Sequence, residues 1–367
     1  MAYTTIDDPS KYFQVKLYAG NSTQTAITND GNSDLQPDFI WAKSRSNTHY
    51  HDLRDSTRGV TKRLASNVED AESTKDQSYV SFDSNGFTLG DDTDGSGSAL
   101  NTINTSSNNY VAWQWKCNGG TTETAVNESG DNPANVRQTN TTAGFSIITS
   151  TGTGGAGTIA HGLGAVPHWI ISKGVSDSGG WVVYHQGNTS APETDALNLA
   201  DDSATSDNSV WYNDTAPTSS VFTLGTTNDV NGDARTYVHY VFTEIQGYSK
   251  FGSYTGNGDA DGPFIYTGFK PAWVMFKRTD DAHSWGIVDH RRNKTDTQNV
   301  GNVIDAYLAP DLDNDDSGNS ATTDFLSNGF KHRRSGNFIN NSGSNYIYMA
   351  FAEHPFVSSE GVPATAR

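Results

Sequence analysis

Asp311, Asp313 and Asp315, in the run Asp311-Leu-Asp-Asn-Asp-Asp-Ser-Gly318, have the spacing in this chain that best suits a hard cation. Such ions take several oxygen ligands, and alternating aspartates supply them in calcium-binding loops. The loop pattern then breaks. Asp316 stands where such a loop carries glycine, and Thr322 where it ends on a bidentate glutamate. The break favours a solvated acidic turn. Calcium is thus the one ion for which the sequence makes a case, at Asp311, Asp313 and Asp315; otherwise no cofactor is expected. Asp91, Asp92 and Asp94 form a shorter cluster of the same kind. His49-Tyr-His51 would put two imidazoles on one strand face, but a metal centre needs a third ligand that the sequence does not identify.

Aromatic rings are the second chemical feature, because a ring face stacks on a sugar while its polar edge bonds to water or ligand. Trp211-Tyr212 lies in a polar stretch and has no counterpart elsewhere in the chain, so it is the pair expected to be exposed. Trp181 and Trp285 are also candidates, with core packing as the competing role. Signatures of catalysis are missing. No G-x-S-x-G elbow occurs, no strand carries closely alternating carboxylates, and the glycines from Gly152 to Gly157 lack the Lys-Ser/Thr of a phosphate loop. The chain is read as a non-enzyme.

These residues must be held by elements that recur three times. Pro37-Asp-Phe-Ile-Trp-Ala-Lys43, Pro167-His-Trp-Ile-Ile-Ser-Lys173 and Pro271-Ala-Trp-Val-Met-Phe-Lys277 share proline, an aromatic two places on, and lysine at the end. Each is followed at nearly equal distance by an aromatic segment: Tyr110-Val-Ala-Trp-Gln-Trp115, Tyr237-Val-His-Tyr-Val-Phe242 and Tyr346-Ile-Tyr-Met-Ala-Phe351. Their second, fourth and sixth residues are large and apolar, and side chains two apart on a strand share a face. Phe82-Asp-Ser-Asn-Gly-Phe87 returns as Phe325-Leu-Ser-Asn-Gly-Phe330, and Asn85-Gly86 and Asn328-Gly329 predict tight hairpins with positive φ at both turn residues. His51, Trp181 and Trp285 occupy one repeat position; Asp55, His185 and Asp289 occupy another.

Short runs of Val, Ile, Thr, Tyr, Phe and Trp between Gly, Asn, Asp and Ser clusters make this an all-β chain. Copies near domain size predict three tandem β-sandwich modules, jelly-roll or concanavalin-like. The expected boundaries are a first module at 1–118, a linker at 119–142 where apolar residues are scarce, a second module at 143–247, a third at 248–356 and a C-terminal tail at 357–367. The second junction, Glu244 to Lys250, is tight, which predicts modules two and three docked as a pair.

The formal net charge of −18 opposes bare nucleic-acid binding, which needs a basic face. The basic clusters Arg54, Arg58, Lys62, Arg63, then Arg291, Arg292, Lys294, then Lys331 to Arg334 read as solvated surface charge. One cysteine cannot make an intrachain disulfide. No segment resembles a signal peptide or a membrane helix. A protein made in a cytoplasm without a signal peptide is expected.

The runs Gly247-Tyr-Ser-Lys-Phe-Gly-Ser-Tyr-Thr-Gly-Asn-Gly258, Asp261-Gly-Pro-Phe-Ile-Tyr-Thr-Gly-Phe269 and Tyr346-Ile-Tyr-Met-Ala-Phe-Ala-Glu353 resemble a module widespread in tailed phages of marine bacteria, found in tail-fibre and virion-appendage proteins. The resemblance covers nearly the whole chain and brings no catalytic residues with it. It implies a virion structural protein, partnered by other virion proteins and by a host-surface glycan or protein, and displayed as a homo-oligomer whose copy number supplies avidity. A capsid or tail decoration protein and a glycan depolymerase are the alternatives.

Overall fold

The computed structural model describes residues 3–93, 102–125, 130–292, 303–316 and 323–363. Among them there is no α-helix, and every strand pairing is antiparallel. No helix of the described residues is long and apolar enough to cross a membrane.

Each repeat begins with an opening strand (Phe13–Ala19, Phe145–Thr151, Ser249–Thr255) and continues with an inner strand after or across its proline (Phe39–Ser44, Trp169–Gly174, Phe269–Arg278). An outer strand follows (Asp52–Asp55, Trp181–His185, Gly286–Asp289), and a closing strand ends the repeat (Asn109–Trp115, Thr236–Phe242, Asn345–Pro355). The spatial order is opening, closing, inner, outer in all three. A smaller sheet or hairpin accompanies each: Thr25–Thr28 with Gly86–Leu89 and Tyr79–Asp83, then Gly157–Ala160 with Val221–Leu224, then Phe264–Tyr266 with Gly329–His332 and Thr323–Leu326.

The closing strands are buried on both faces, which explains their continuous apolar character. Val111, Trp113, Trp115, Val238, Tyr240, Phe242, Ile347, Met349 and Phe351 all enter one core common to the three repeats. The alternate residues face separate cores: Tyr110 and Ala112 in the first repeat, Val241 in the second, Tyr348 and Ala350 in the third. Rings from different repeats meet in the common core. Trp115 stands perpendicular to Trp273 with centroids 5.6 Å apart, Phe39 stacks on Tyr240 at 4.4 Å, and Phe242 lies 6.1 Å from Phe251.

Polar contacts close the repeats into a ring. The three terminal lysines of the proline-led motifs, Lys43, Lys173 and Lys277, are fully buried. Each donates to the carbonyl of the next residue and to a carbonyl of a neighbouring repeat: Lys43 to Asp313 O at 3.0 Å, Lys173 to Glu69 O at 3.3 Å, Lys277 to Asp202 O at 3.2 Å. Repeat one thus reaches three, two reaches one, and three reaches two. On the other side, Asp55 accepts from Tyr240 Oη (2.8 Å), Asp289 accepts from Trp113 Nε1 (2.9 Å), and His185 Nε2 donates to Tyr348 O (3.2 Å). The carboxylates face ring donors. Met349, which takes the place of Trp113 and Tyr240, has no donor, and there the partner is histidine.

Two expectations need correction. Residues 119–142 are not a free linker. Ala134–Asn140 pairs along its full length with the opening strand of repeat two, and Glu123–Thr124 pairs with it in turn. Backbone ladders need no apolar side chains, so this polar strand leaves no hydrophobic run in the sequence. The hairpins at Asn85-Gly86 and Asn328-Gly329 form, but their loops are Ser84-Asn85 and Ser327-Asn328, and neither asparagine has positive φ. The glycines serve close approach instead. A Cβ on Gly86 would lie 2.0 Å from Ile27 O, and one on Gly329 would lie 2.1 Å from Ile265 O.

Candidate functional site

Most of the residues singled out for chemistry are structural. Trp181 and Trp285 are fully buried, and each donates its indole N–H to a carbonyl of the preceding repeat: Trp181 to Ala65 O and Val68 O at 3.1 Å, Trp285 to Asn198 O at 2.9 Å. His51, at the same repeat position, bonds Ala309 O through Nε2 at 2.9 Å, with Nδ1 accepting from Trp41. Burial pushes the His51 pKa well down. One ring thus plays one joining role in all three copies. Tyr212 is buried as well, edge-on to Tyr184 at 5.6 Å, with its hydroxyl donating to Val182 O.

The acidic run does not gather ligands. The Asp311 side chain is buried and accepts from Trp285 N at 3.1 Å, and burial pushes its pKa up to about 6. Asp313 contributes its carbonyl to Lys43, and Asp316 pairs with Arg45 at 2.8 Å. Among the described residues no three or more His, Cys, Asp or Glu side chains are grouped to hold a metal ion. The chain path gives Asp311 and Asp313 different partners. Asp92 is likewise buried and accepts from Ser78 Oγ, Ile103 N and Asn104 N. Asp94, Lys294, Ser317 to Thr322 and the last residues of the tail lie outside the described residues. Of the arginines read as surface charge, Arg291, Arg333 and Arg334 are exposed, whereas four others are held in ion pairs inside the fold. Arg54 and Arg63 share Asp52, Arg58 pairs with Asp55 and Glu72, and Arg292 pairs with Asp289 at 2.6 Å.

Trp211 is different. It is half-buried, and it lines a groove of about 340 Å³ at the junction of repeats one and two. Its segment turns sharply, with positive φ at Asn213 and Asp214, and is tied down by Gly225 N donating to Trp211 O at 2.7 Å. Buried Val182, Ala196 and Leu197 form apolar parts of the lining. Glu69, Asn198, Asp201 and Asp229 supply polar groups. Asn198 organises them. Its Nδ2 donates to Glu69 (3.1 Å) and Asp201 (2.8 Å), while its Oδ1 accepts from Trp181 N and Ala200 N, both at 3.0 Å. Asp229 accepts from Gly180 N at 3.2 Å, and a Cβ on Gly179 would stand 2.9 Å from the same oxygen. The glycine pair therefore lets the carboxylate close in.

Among the described residues no lysine, arginine or histidine lines this groove. A half-exposed indole beside three carboxylates and an amide suits a ligand with one C–H face and many hydroxyl donors. It disfavours an anion.

Exposed aromatics elsewhere went unnoticed in the sequence. Phe264 is 46% exposed and Tyr266 52% exposed, on an edge strand whose middle residue, Ile265, is buried. The corresponding residues of the other repeats are Ala26 and Thr28, and Thr158 and Ala160. Alignment of the three short strands was the signal that could have found them.

A family model described as a domain of unknown function, DUF7483, matches residues 8–355, so the chain belongs to that family. No curated protein and no solved structure matches it.

Proposed function

We propose that this DUF7483-family chain is a phage virion structural protein, in which three repeats of one concanavalin-like β-sandwich module present a site for host-surface glycan. The observation that carries the binding role is the Trp211 groove: a half-buried indole, Glu69, Asn198, Asp201 and Asp229 around an apolar floor, with no cation in the lining among the described residues. The ligand is a neutral or amino-bearing polysaccharide. Binding at one groove is weak, and several copies on a particle raise it by effective concentration. The virion setting is supported by the likeness of the sequence to marine phage appendage modules, and it is the part that particle work must test. The fused core suits a part that must resist shear as a rigid unit.

The purified chain should bind host cells, and free host polysaccharide should compete. Trp211→Ala should lower glycan affinity at least tenfold, the loss of roughly 1.4 kcal/mol of stacking; the indole also packs against the repeat-two core, so a melt taken alongside reports that loss separately. Undiminished binding by that variant would refute the groove. A second reading, a decoration protein that touches only other virion proteins, is favoured by the exposed Phe264 and Tyr266. Locating the chain on the particle separates the two.

A further inference from the structure

The three repeat junctions share a backbone but not their filling. Ser56 N, Gln186 N and His290 N donate to the carbonyls of Asp38, His168 and Ala272 respectively, at 2.8, 3.0 and 2.9 Å. Those three acceptors each follow the leading proline, so they are one position. In repeat one the Asp38 carboxylate fills the junction, accepting from Cys117 N, Gly119 N, Gly120 N and Ser56 Oγ. In repeat two the His168 ring fills it, accepting from Glu244 N and stacking on Phe251 of the next repeat at 6.1 Å. In repeat three the residue is Ala272, and a cleft of about 150 Å³ stands there, between the third repeat and the opening strand of the first.

The cleft has a built lining. Phe13, Ala272 and Ala352 give it apolar wall. His290 Nδ1 lies 3.1 Å from Ala272 O, an atom that only accepts, so Nδ1 carries the proton. Nε2 is then an acceptor, and it has no hydrogen-bond partner among the described residues. Burial holds the His290 pKa below its ordinary value, which keeps the ring neutral. Glu353 adds a carboxylate, paired with Lys270 at 2.7 Å. Arg291 of repeat three reaches Asp30 of repeat one at 3.0 Å across the same junction. Each charge thus already has its counter-charge, and a charged ligand would gain little.

We propose that the Ala272 cleft is a second ligand site, taking one neutral polyhydroxylated ring such as a single sugar residue. Hydroxyl donors meet His290 Nε2 and Glu353, Arg291 donates to a ligand oxygen, and the C–H face lies on Phe13 and the alanines. The size agrees: a cavity of about 150 Å³ accommodates a benzene-sized six-membered ring, and the open mouth leaves room for substituents. The cleft and the Trp211 groove lie at different junctions, so one can exist without the other.

The test is a titration of the full chain with D-glucose, D-galactose, D-mannose and glycerol, to about 100 mM to reach weak millimolar affinities, following the His290 ring resonances by NMR. A saturable shift with at least one of them is expected. The shift should vanish in Ala272→His, which supplies the side chain that repeat two carries at this position, and persist in Trp211→Ala. No His290 shift with any of the four, or a shift retained in Ala272→His, overturns the proposal. Should Ala272→His fold poorly, His290→Phe in the Trp211→Ala background serves, with saturation transfer observed on the sugar and the Trp211→Ala chain as the reference. Loss of transfer supports the site, and unchanged transfer overturns it.

Discussion

Lys43, Lys173 and Lys277 are the residues that most repay attention to chemistry. Each is buried with two carbonyl acceptors and, among the described residues, no carboxylate in hydrogen-bond contact. A neutral amine also has two N–H donors, so those bonds survive deprotonation. Burial accordingly lowers the pKa to about 7 for Lys43 and about 8 for Lys173 and Lys277. The linkage sign follows. In the unfolded chain lysine titrates near 10.4, so between about pH 7 and that value the unfolded state holds more protons, and stability rises with pH. Thermal melts should therefore climb from pH 7 to 9, a window in which few other groups titrate, and Lys43→Met should flatten the climb. A fall over that range in the unmodified chain would contradict the lowered lysine pKa values. Above pH 10 the sign reverses, because burial raises the pKa of Tyr18, Tyr79, Tyr240 and Tyr254.

At the scale of the element, glycine marks where strands crowd. Gly86 has φ of +111°, and its missing Cβ leaves room for Ile27 O. Gly59 has a similar φ of +106° but nothing within 4 Å of a Cβ. Gly59→Ala should therefore cost only the strain of the backbone, about 1 kcal/mol. Gly86→Ala adds a carbonyl clash and should cost on the order of 3 kcal/mol. Denaturant midpoints of the two variants measure the difference, and equal losses would mean that the clash is relieved elsewhere. Strands were readable where side chains alternate, as in Tyr346 to Phe351, and unreadable where pairing is by backbone alone, as in Ala134–Asn140. The Trp211 groove was half legible. The indole was picked out by its polar surroundings and lack of a repeat partner, but Glu69 comes from another repeat, and no local pattern joins it to Asp229.

For the whole molecule, the common core determines how the chain unfolds. Trp113, Trp115, Trp169, Trp273, Phe242 and Phe351 come from all three repeats and belong to one cluster. Removal of one such ring typically costs about 3–5 kcal/mol. Because its contacts belong to several repeats, Trp273→Ala should lower the stability of the entire chain. Tryptophan fluorescence and far-ultraviolet circular dichroism should give coincident transitions, before and after the substitution. Separate transitions would show repeats that hold together independently.

The amino-acid order alone carried the all-β class, the threefold repetition and the set of alternate residues that share one face of each closing strand. These are local matters, written in spacing, turn residues and alternation. That Trp181 and Trp285 are joints and not ligand platforms, that Arg54 and Arg292 are interior, and that the repeats close upon one another came only with the folded chain. The cause is physical. Lysine and tryptophan here bond to main-chain carbonyls, which every residue possesses, so the partner leaves no trace in residue type. A cleft at one junction out of three depends on which strand of a distant repeat faces Ala272, and that is settled by packing across the whole chain.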